Sequence, residues 1–215
     1  MLDLFRTLIR SLFLPLIILI RFTFNRNSIL KKTGWIRGYV QRKPIDAEGN
    51  ALPWMNYAII DFLKKRLNAD MRLFEWGSGY STLFFASRVK SVVSLEYNEH
   101  WFNLIKEQVP GNVEVIYRKL GSGDYVNEIA SRHEQYHLIV IDGRERVKCF
   151  AACLAHLHGD GVILLDDSDR SDYQEAFQVA HAQGFRHIDF IGLKPRSHKQ
   201  HQSTVFYKTS NCMGL

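Results

Sequence analysis

The chain has 215 residues, 46% apolar and 23% charged, with a net charge of +6. That is room for one α/β domain with a full core and a short appendage, of ordinary composition for a folded protein and without internal repeats. The charge is uneven: residues 1–43 hold nine Lys or Arg against one acid, Asp3, so the remainder is slightly acidic and lacks the basic footprint of a nucleic-acid binder.

From Leu2 to Phe24 the chain is mostly Leu, Ile and Phe, broken by Asp3, Arg6, Arg10, Pro15 and Arg21. The uninterrupted run, Ser11–Ile20, is shorter than the roughly 20 apolar residues of a bilayer span. A signal peptide is opposed by the lack of a small-x-small cleavage site. A signal anchor would use Arg21, Arg26, Lys31, Lys32 and Arg37 to keep the adjoining domain cytoplasmic. A helix lying in the interface would bury its apolar residues and leave the arginines at the headgroups. A helix packed on the domain or on a partner subunit is the remaining reading. Residues 1–24 are therefore expected to associate with a membrane, with spanning and lying left open. Residues 25–51 read as a connector, with Trp35 and Tyr39 anchoring it to the domain or to lipid, and residues 52–215 as the domain proper.

Ile59, Phe62, Leu63 and Leu67 stand at helical spacing and predict a helix over 58–67. Trp54 and Tyr57 precede or open it, either closing over a ligand or packing the helix start. Strand 72–76 contains Glu75; Gly77 and Gly79 come next, and a helix opens at Ser81 or Thr82 and runs to about Ser87. Glycine lets a ligand approach the main chain closely, a helix start offers unpaired N–H groups, and an acid at a strand end accepts hydrogen bonds from ribose hydroxyls. Strand 91–96 ends on Glu96, 21 residues after Glu75, which is the length of one βαβ unit built for a nucleoside. A helix over 98–108 is stopped by Pro110-Gly111. Strand 113–117, the loop 120–125 and a helix over 125–132 come after it.

Strand 137–141 runs into Asp142-Gly143. A helix over 147–157 carries Cys149 and Cys153 one turn apart. No further Cys or His at ligand spacing completes a metal site, so these read as buried reduced thiols, and with Cys212 the odd count fits a reducing cytosol. Strand 161–165 ends in Asp166-Asp167. A helix over 173–183, strand 185–192, a polar turn at 198–202 and strand 203–208 complete the chain. The 194–202 connection is too short for a crossover helix, so the last strand is antiparallel to the one before it. Alternating strands and helices predict a largely parallel sheet covered on both faces. Glu75, Glu96, Asp142, Asp166 and Asp167 all fall at strand carboxyl ends, where such sheets bind ligands.

A dinucleotide-binding Gly-x-Gly-x-x-Gly would need glycine at position 82, where Thr82 stands. Read as Glu-x-Gly-x-Gly-x-Ser, residues 75–81 resemble the first motif of class I S-adenosylmethionine-dependent methyltransferases, with Ser81 in place of a third glycine. The resemblance covers about residues 52–208. It implies an α/β, Rossmann-like, seven-stranded, mostly parallel sheet of order 3-2-1-4-5-7-6 with strand 7 antiparallel and helices on both faces. It implies S-adenosyl-L-methionine as cofactor, held by Glu75, Gly77, Ser78, Gly79, Ser81, Glu96 and Asp142, with Gly123 and Asp124 near the adenine. Asp124 as an N-cap is the other reading.

A hydroxyl acceptor must lose its proton, which calls for a base or a metal, and Asp142 is the candidate for either role. Asp142 with Asp166 or Asp167 resembles the acids through which oxygen-methylating enzymes bind a divalent cation, here Mg²⁺. Against the metal stands a reading in which Asp166 and Asp167 cap the next helix and Asp142 orders its turn. Arg144 and Arg146 either clamp an anionic acceptor or pair with Asp166, Asp167 or Asp169. His198 and His201 line the acceptor side or a solvated loop. The expectation is an oxygen-directed methyltransferase acting on a small-molecule, glycan or lipid-linked acceptor at the cytoplasmic membrane face. A nicotinamide-dependent oxidoreductase and a non-catalytic, membrane-tethered nucleoside-binding module are the alternatives.

Overall fold

The computed structural model describes residues 2–215, with side chains described for residues 10, 11 and 13–215; Asp3 and Arg6 fall outside the described side chains. Its centre is a seven-stranded sheet. The strands are β1 (Arg72–Trp76), β2 (Ser91–Glu96), β3 (Val113–Tyr117), β4 (Tyr136–Ile141), β5 (Leu157–Asp166), β6 (Arg186–Leu193) and β7 (Gln200–Tyr207). They lie in the order β3-β2-β1-β4-β5-β7-β6. The first five are parallel, and β7 runs antiparallel to both β5 and β6. This is the expected topology, and the antiparallel hairpin replaces the parallel strand that a dinucleotide-binding domain would place there.

Two-residue alternation divides the core. In β1, Leu73 joins Val92, Leu138, Val140, Val162 and Leu164 in a cluster covered by Ile59, Ile60 and Leu63 of α4 (Tyr57–Arg66) and by Phe84 and Phe85 of α5 (Tyr80–Ala86). Phe74 and Trp76 point the other way, into a cluster with Leu95, Ile139, Ile141, Ile163 and Leu165. That face is covered by α7 (Asp124–Ser131), α8 (Arg146–Cys153) and α9 (Gln174–Ala182). Helix α6 (Glu99–Lys106) packs beside β2 and β3. Cys149 and Cys153 lie fully buried in the second cluster as free thiols, and burial pushes both up from the ordinary cysteine range.

The boundaries differ from the sequence expectation where long-range pairing decides them. The helix after the glycine turn starts at Tyr80. β5 begins at Leu157, because a bulge between Tyr136 and Leu138 lets the chain pair with β4 earlier. β7 begins at Gln200, so most of the expected polar turn is strand: His201 pairs with Gly192 and Gln202 with Ile191.

The N-terminal part is helical. α1 (Leu2–Phe24) continues through Pro15, and α2 (Ile29–Lys32) and α3 (Trp35–Gln41) occupy the region read as a connector. Asp46 then orders a tight turn by accepting the N–H groups of Glu48, Gly49 and Asn50. Phe13–Lys32, with a mean hydropathy of 1.2, is long and apolar enough to cross a membrane, and none of it is buried in the protein. An apolar groove lined by Leu14, Ile18, Phe22 and Leu30 runs between α1 and α2.

Candidate active site

The glycine turn rests on a hydroxyl network. Glu75 is fully buried on the α5 side of the sheet, where its Oε2 accepts the hydroxyls of Thr82 at 2.6 Å and Ser94 at 2.7 Å. Thr82 Oγ1 in turn accepts the Gly79 N–H at 2.9 Å, and Ser78 Oγ lies 2.8 Å from Ser94 Oγ. Glu75 therefore carries the turn from beneath. Burial lifts its pKa from 4.5 to about 7, against the pull of hydrogen bonds from Ser81, Thr82 and Ser94. Its Oε1 finds no hydrogen-bond partner among the described residues.

Two turns cross above this network at contact distance. Gly77 has φ +102°, and a Cβ there would lie 3.0 Å from the Asp142 carbonyl and the Gly143 nitrogen. A Cβ on Gly143 would lie 2.0 Å from Tyr125 Oη. Only glycine lets the β1 and β4 turns close on each other in this way. Glu96 ends β2 almost fully buried, and its Oε1 accepts the N–H groups of Tyr97 at 2.9 Å and Asn98 at 2.8 Å. Burial raises its pKa, partly offset by these donors. Asn98 caps α6 on the Trp101 N–H, and the Trp101 indole donates to Ser78 O at 2.7 Å.

The α7 start joins the same edge, since Tyr125 O accepts the Trp76 indole N–H at 2.8 Å. Gly123, with φ +89°, occupies the N-cap position. Asp124 is the first helical residue, exposed, and accepts the Ser122 hydroxyl at 2.9 Å; it is not the cap. Its charge lies in the first turn, where the helix dipole favours an anion.

The acids after β4 and β5 are tied by Arg146. Its guanidinium donates to Asp142 Oδ1 at 2.9 Å, to the Asp142 and Gly143 carbonyls at 3.0 Å, and to the Asp166 carbonyl. Asp166, 2% exposed, accepts Ser203 Oγ at 2.6 Å. Asp167, with φ +49°, pairs with Arg170 and with Lys194 at 3.1 Å, and lies 3.5 Å from His201. Burial and then Asp166 push Asp142 well above the carboxylate range, over the opposing pull of Arg146. Burial and then Asp167 raise Asp166. Asp167 also suffers burial, yet Lys194 and Arg146 hold it below its ordinary value. A divalent cation does not fit this arrangement: Arg146 already pairs with Asp142 at 2.9 Å and lies 3.9 Å from Asp167, Lys194 and Arg170 take Asp167, and the Asp166 carboxyl is turned to the Ser203 hydroxyl. Asp142 and Asp167 are thus ion-paired here, and Asp166 is a buried carboxyl held by the Ser203 hydroxyl.

Arg146 is a buried partner of the acids, whereas Arg144 stays outside, its Nε 3.3 Å from Tyr97 Oη and its guanidinium over that ring. Glu75, Gly77, Ser78, Gly79, Ser81, Glu96 and Asp142 come together; Gly123 and Asp124 flank them through Tyr125. Sequence reasoning missed Tyr97, Trp101 and Asn56. Asn56 caps α4 on the Ile59 N–H and donates to Phe190 O and Ser203 Oγ, extending the chain to Asp166. Tyr97, directly after the strand-ending acid, and Trp101, three residues beyond the Asn98 cap, were the available signal for the first two. At the opposite strand ends, His137, His158 and Asp160 cluster, but His137 Nδ1 accepts the Arg72 N–H and His158 Nδ1 faces Asp160 at 2.5 Å. Those nitrogens are engaged locally.

No family model matches the chain, and no curated protein matches it. Solved structures do. A putative O-methyltransferase from Klebsiella pneumoniae superposes with a TM-score of 0.56 at 14% identity, covering 90% of this chain and 94% of that one. A putative methyltransferase from Streptococcus mutans in complex with SAH gives 0.51 at 14% identity, covering 69% and 94%. Spermidine synthase from Thermotoga maritima gives 0.52 at 14% identity, covering 70% and 56%. The chain has the class I methyltransferase fold, and likeness at this identity extends to the fold alone.

Proposed function

We propose that the protein is an S-adenosylmethionine-dependent methyltransferase, oxygen-directed, tethered to the cytoplasmic face of a membrane by residues 1–24. The observation that carries the reading is Glu96: a buried carboxylate fixed by two backbone N–H groups at the end of β2, beside the glycine turn. Glu96 is the acceptor for ribose hydroxyls, and Gly77, Ser78 and Gly79 with the α5 N–H groups receive the rest of the cofactor. Trp101 and Tyr97 wall this space. When bound, the cofactor supplies an activated methyl group on a sulfonium. What remains for the chain is positioning and proton removal. Asp142, raised by burial and by Asp166, is the base for an acceptor hydroxyl; Arg146 donates to its Oδ1 and fixes the surrounding turns through the Asp142, Gly143 and Asp166 carbonyls. The apolar character of the exposed α1 side chains supports the tether.

Calorimetric titration with S-adenosylhomocysteine tests the cofactor. Binding is expected, weakened about 10- to 100-fold in Glu96→Ala, the range of a lost charged hydrogen bond. Absence of binding to the wild type sinks the proposal. Asp142→Asn should keep most of that affinity and lose transfer of labelled methyl groups to cell extract.

A further inference from the structure

The turn joining β6 to β7, residues 194–199, hangs beside the acids, and Lys194 reaches Asp167 from it. Two tryptophans hold its carbonyls. Trp54, just ahead of α4, donates to Pro195 O at 2.7 Å, and Trp35, the first residue of α3, donates to Ser197 O at 2.8 Å. Lys194 and Arg196 lie over the Trp54 ring. The N-terminal helices are therefore fastened to the acceptor side of the domain rather than to its far side. Along that path large apolar side chains are exposed: Phe24, Ile29, Tyr39, Val40 at 77% and Trp54 at 51%. Lys31, Lys32, Arg42, Lys43, Arg196 and Lys199 are interspersed with them. No acid occurs between Asp3 and Asp46, and none occurs after Asp189. Apolar and cationic groups without acids complement an anionic bilayer surface.

We infer that the 194–199 turn with Trp54 is a second membrane contact, which seats the mouth of the site on an anionic phospholipid bilayer so that the acceptor is a membrane-borne hydroxyl compound. The acceptor clause rests on the methyltransferase reading; the membrane contact does not. The test uses the full chain with phosphatidylcholine vesicles containing about one-third phosphatidylglycerol, with and without brominated acyl chains. Bromolipid is expected to quench a tryptophan component that Trp54→Phe removes, and amide exchange across 194–199 to slow on these vesicles but not on pure phosphatidylcholine. The double variant Arg196→Glu, Lys199→Glu should lose both signals and bind these vesicles at least about tenfold more weakly, at unchanged S-adenosylhomocysteine affinity. Vesicle binding with Trp54 unquenched and the turn unprotected overturns the contact, as does a charge reversal without effect. A protected turn in a protein that binds no S-adenosylhomocysteine upholds the contact while removing the methyltransferase reading. For the acceptor, labelled methyl groups should appear in organic-extractable membrane material; label confined to the aqueous fraction overturns that clause.

Discussion

Glu75→Gln isolates the cost of ionising a carboxylate at the centre of the turn. Glu75 is fully buried, and its pKa stands at about 7 against 4.5 in the unfolded chain. A raised acid binds its proton more tightly when folded, so native stability is highest below the unfolded value and falls as pH rises toward the folded one. Taking 1.36 kcal/mol per pKa unit, the loss between about pH 4.5 and 7.5 is about 3 kcal/mol for this group. Glutamine keeps the shape and an oxygen for Thr82 and Ser94 but has no proton to lose. Urea titrations at half-unit steps across pH 5–8 measure the effect as the difference between wild type and variant, which cancels the other titrating groups. The wild type should lose stability relative to the variant as pH rises. A difference that stays flat, or that rises with pH, refutes the premise that burial outweighs the hydroxyl donors.

Gly143→Ala should destabilise the fold by about 2 kcal/mol or more, because its Cβ would lie 2.0 Å from Tyr125 Oη. Adding Tyr125→Phe removes that oxygen, so a double-mutant cycle by denaturant titration should show favourable coupling of about 1 kcal/mol. Arg146→Gln should cost about 3–5 kcal/mol by leaving buried carboxylates short of a cation. Where the variant still turns over, the rise of its rate with pH should move to higher pH than in wild type, since Asp142 loses the charge that lowers it. Asn56→Ala removes a helix cap and two buried hydrogen bonds at once and should lower stability by about 2–4 kcal/mol in a thermal or chemical melt.

Local chemistry was legible and long-range chemistry was not. The turn at 75–79, the acid at Glu96 and the antiparallel last strand emerge from spacing, alternation and the short final connection, while the strand order comes from the methyltransferase resemblance. The orientation of Glu75 was also readable in principle. Two-residue alternation puts it on the face of Leu73, opposite Phe74 and Trp76, and Ser94 stands on the matching face of β2. Arg146, by contrast, joins carbonyls from two strand ends, and its sequence neighbours do not distinguish pairing from an exposed clamp. The bonds Trp35–Ser197 and Trp54–Pro195 span 162 and 141 residues, so no local pattern announces them. Helix α1 could be placed by composition, while its continuation through Pro15 runs against that residue's propensity.

The position of β7 between β5 and β6 has a consequence for how the molecule is made. Synthesis delivers the chain N-terminus first, and β5 gains its outer neighbour only when Ser203–Phe206 arrives. Until then β5 is an open edge, Asp166 lacks the Ser203 hydroxyl, and Asp167 lacks Lys194. A chain in which β6 and β7 have yet to form would thus carry five paired strands and an electrostatically incomplete pocket. Closing the sheet, neutralising the acids and clamping Trp35 all await the β6–β7 segment, so a truncation within β7 should leave a sticky, protease-sensitive intermediate.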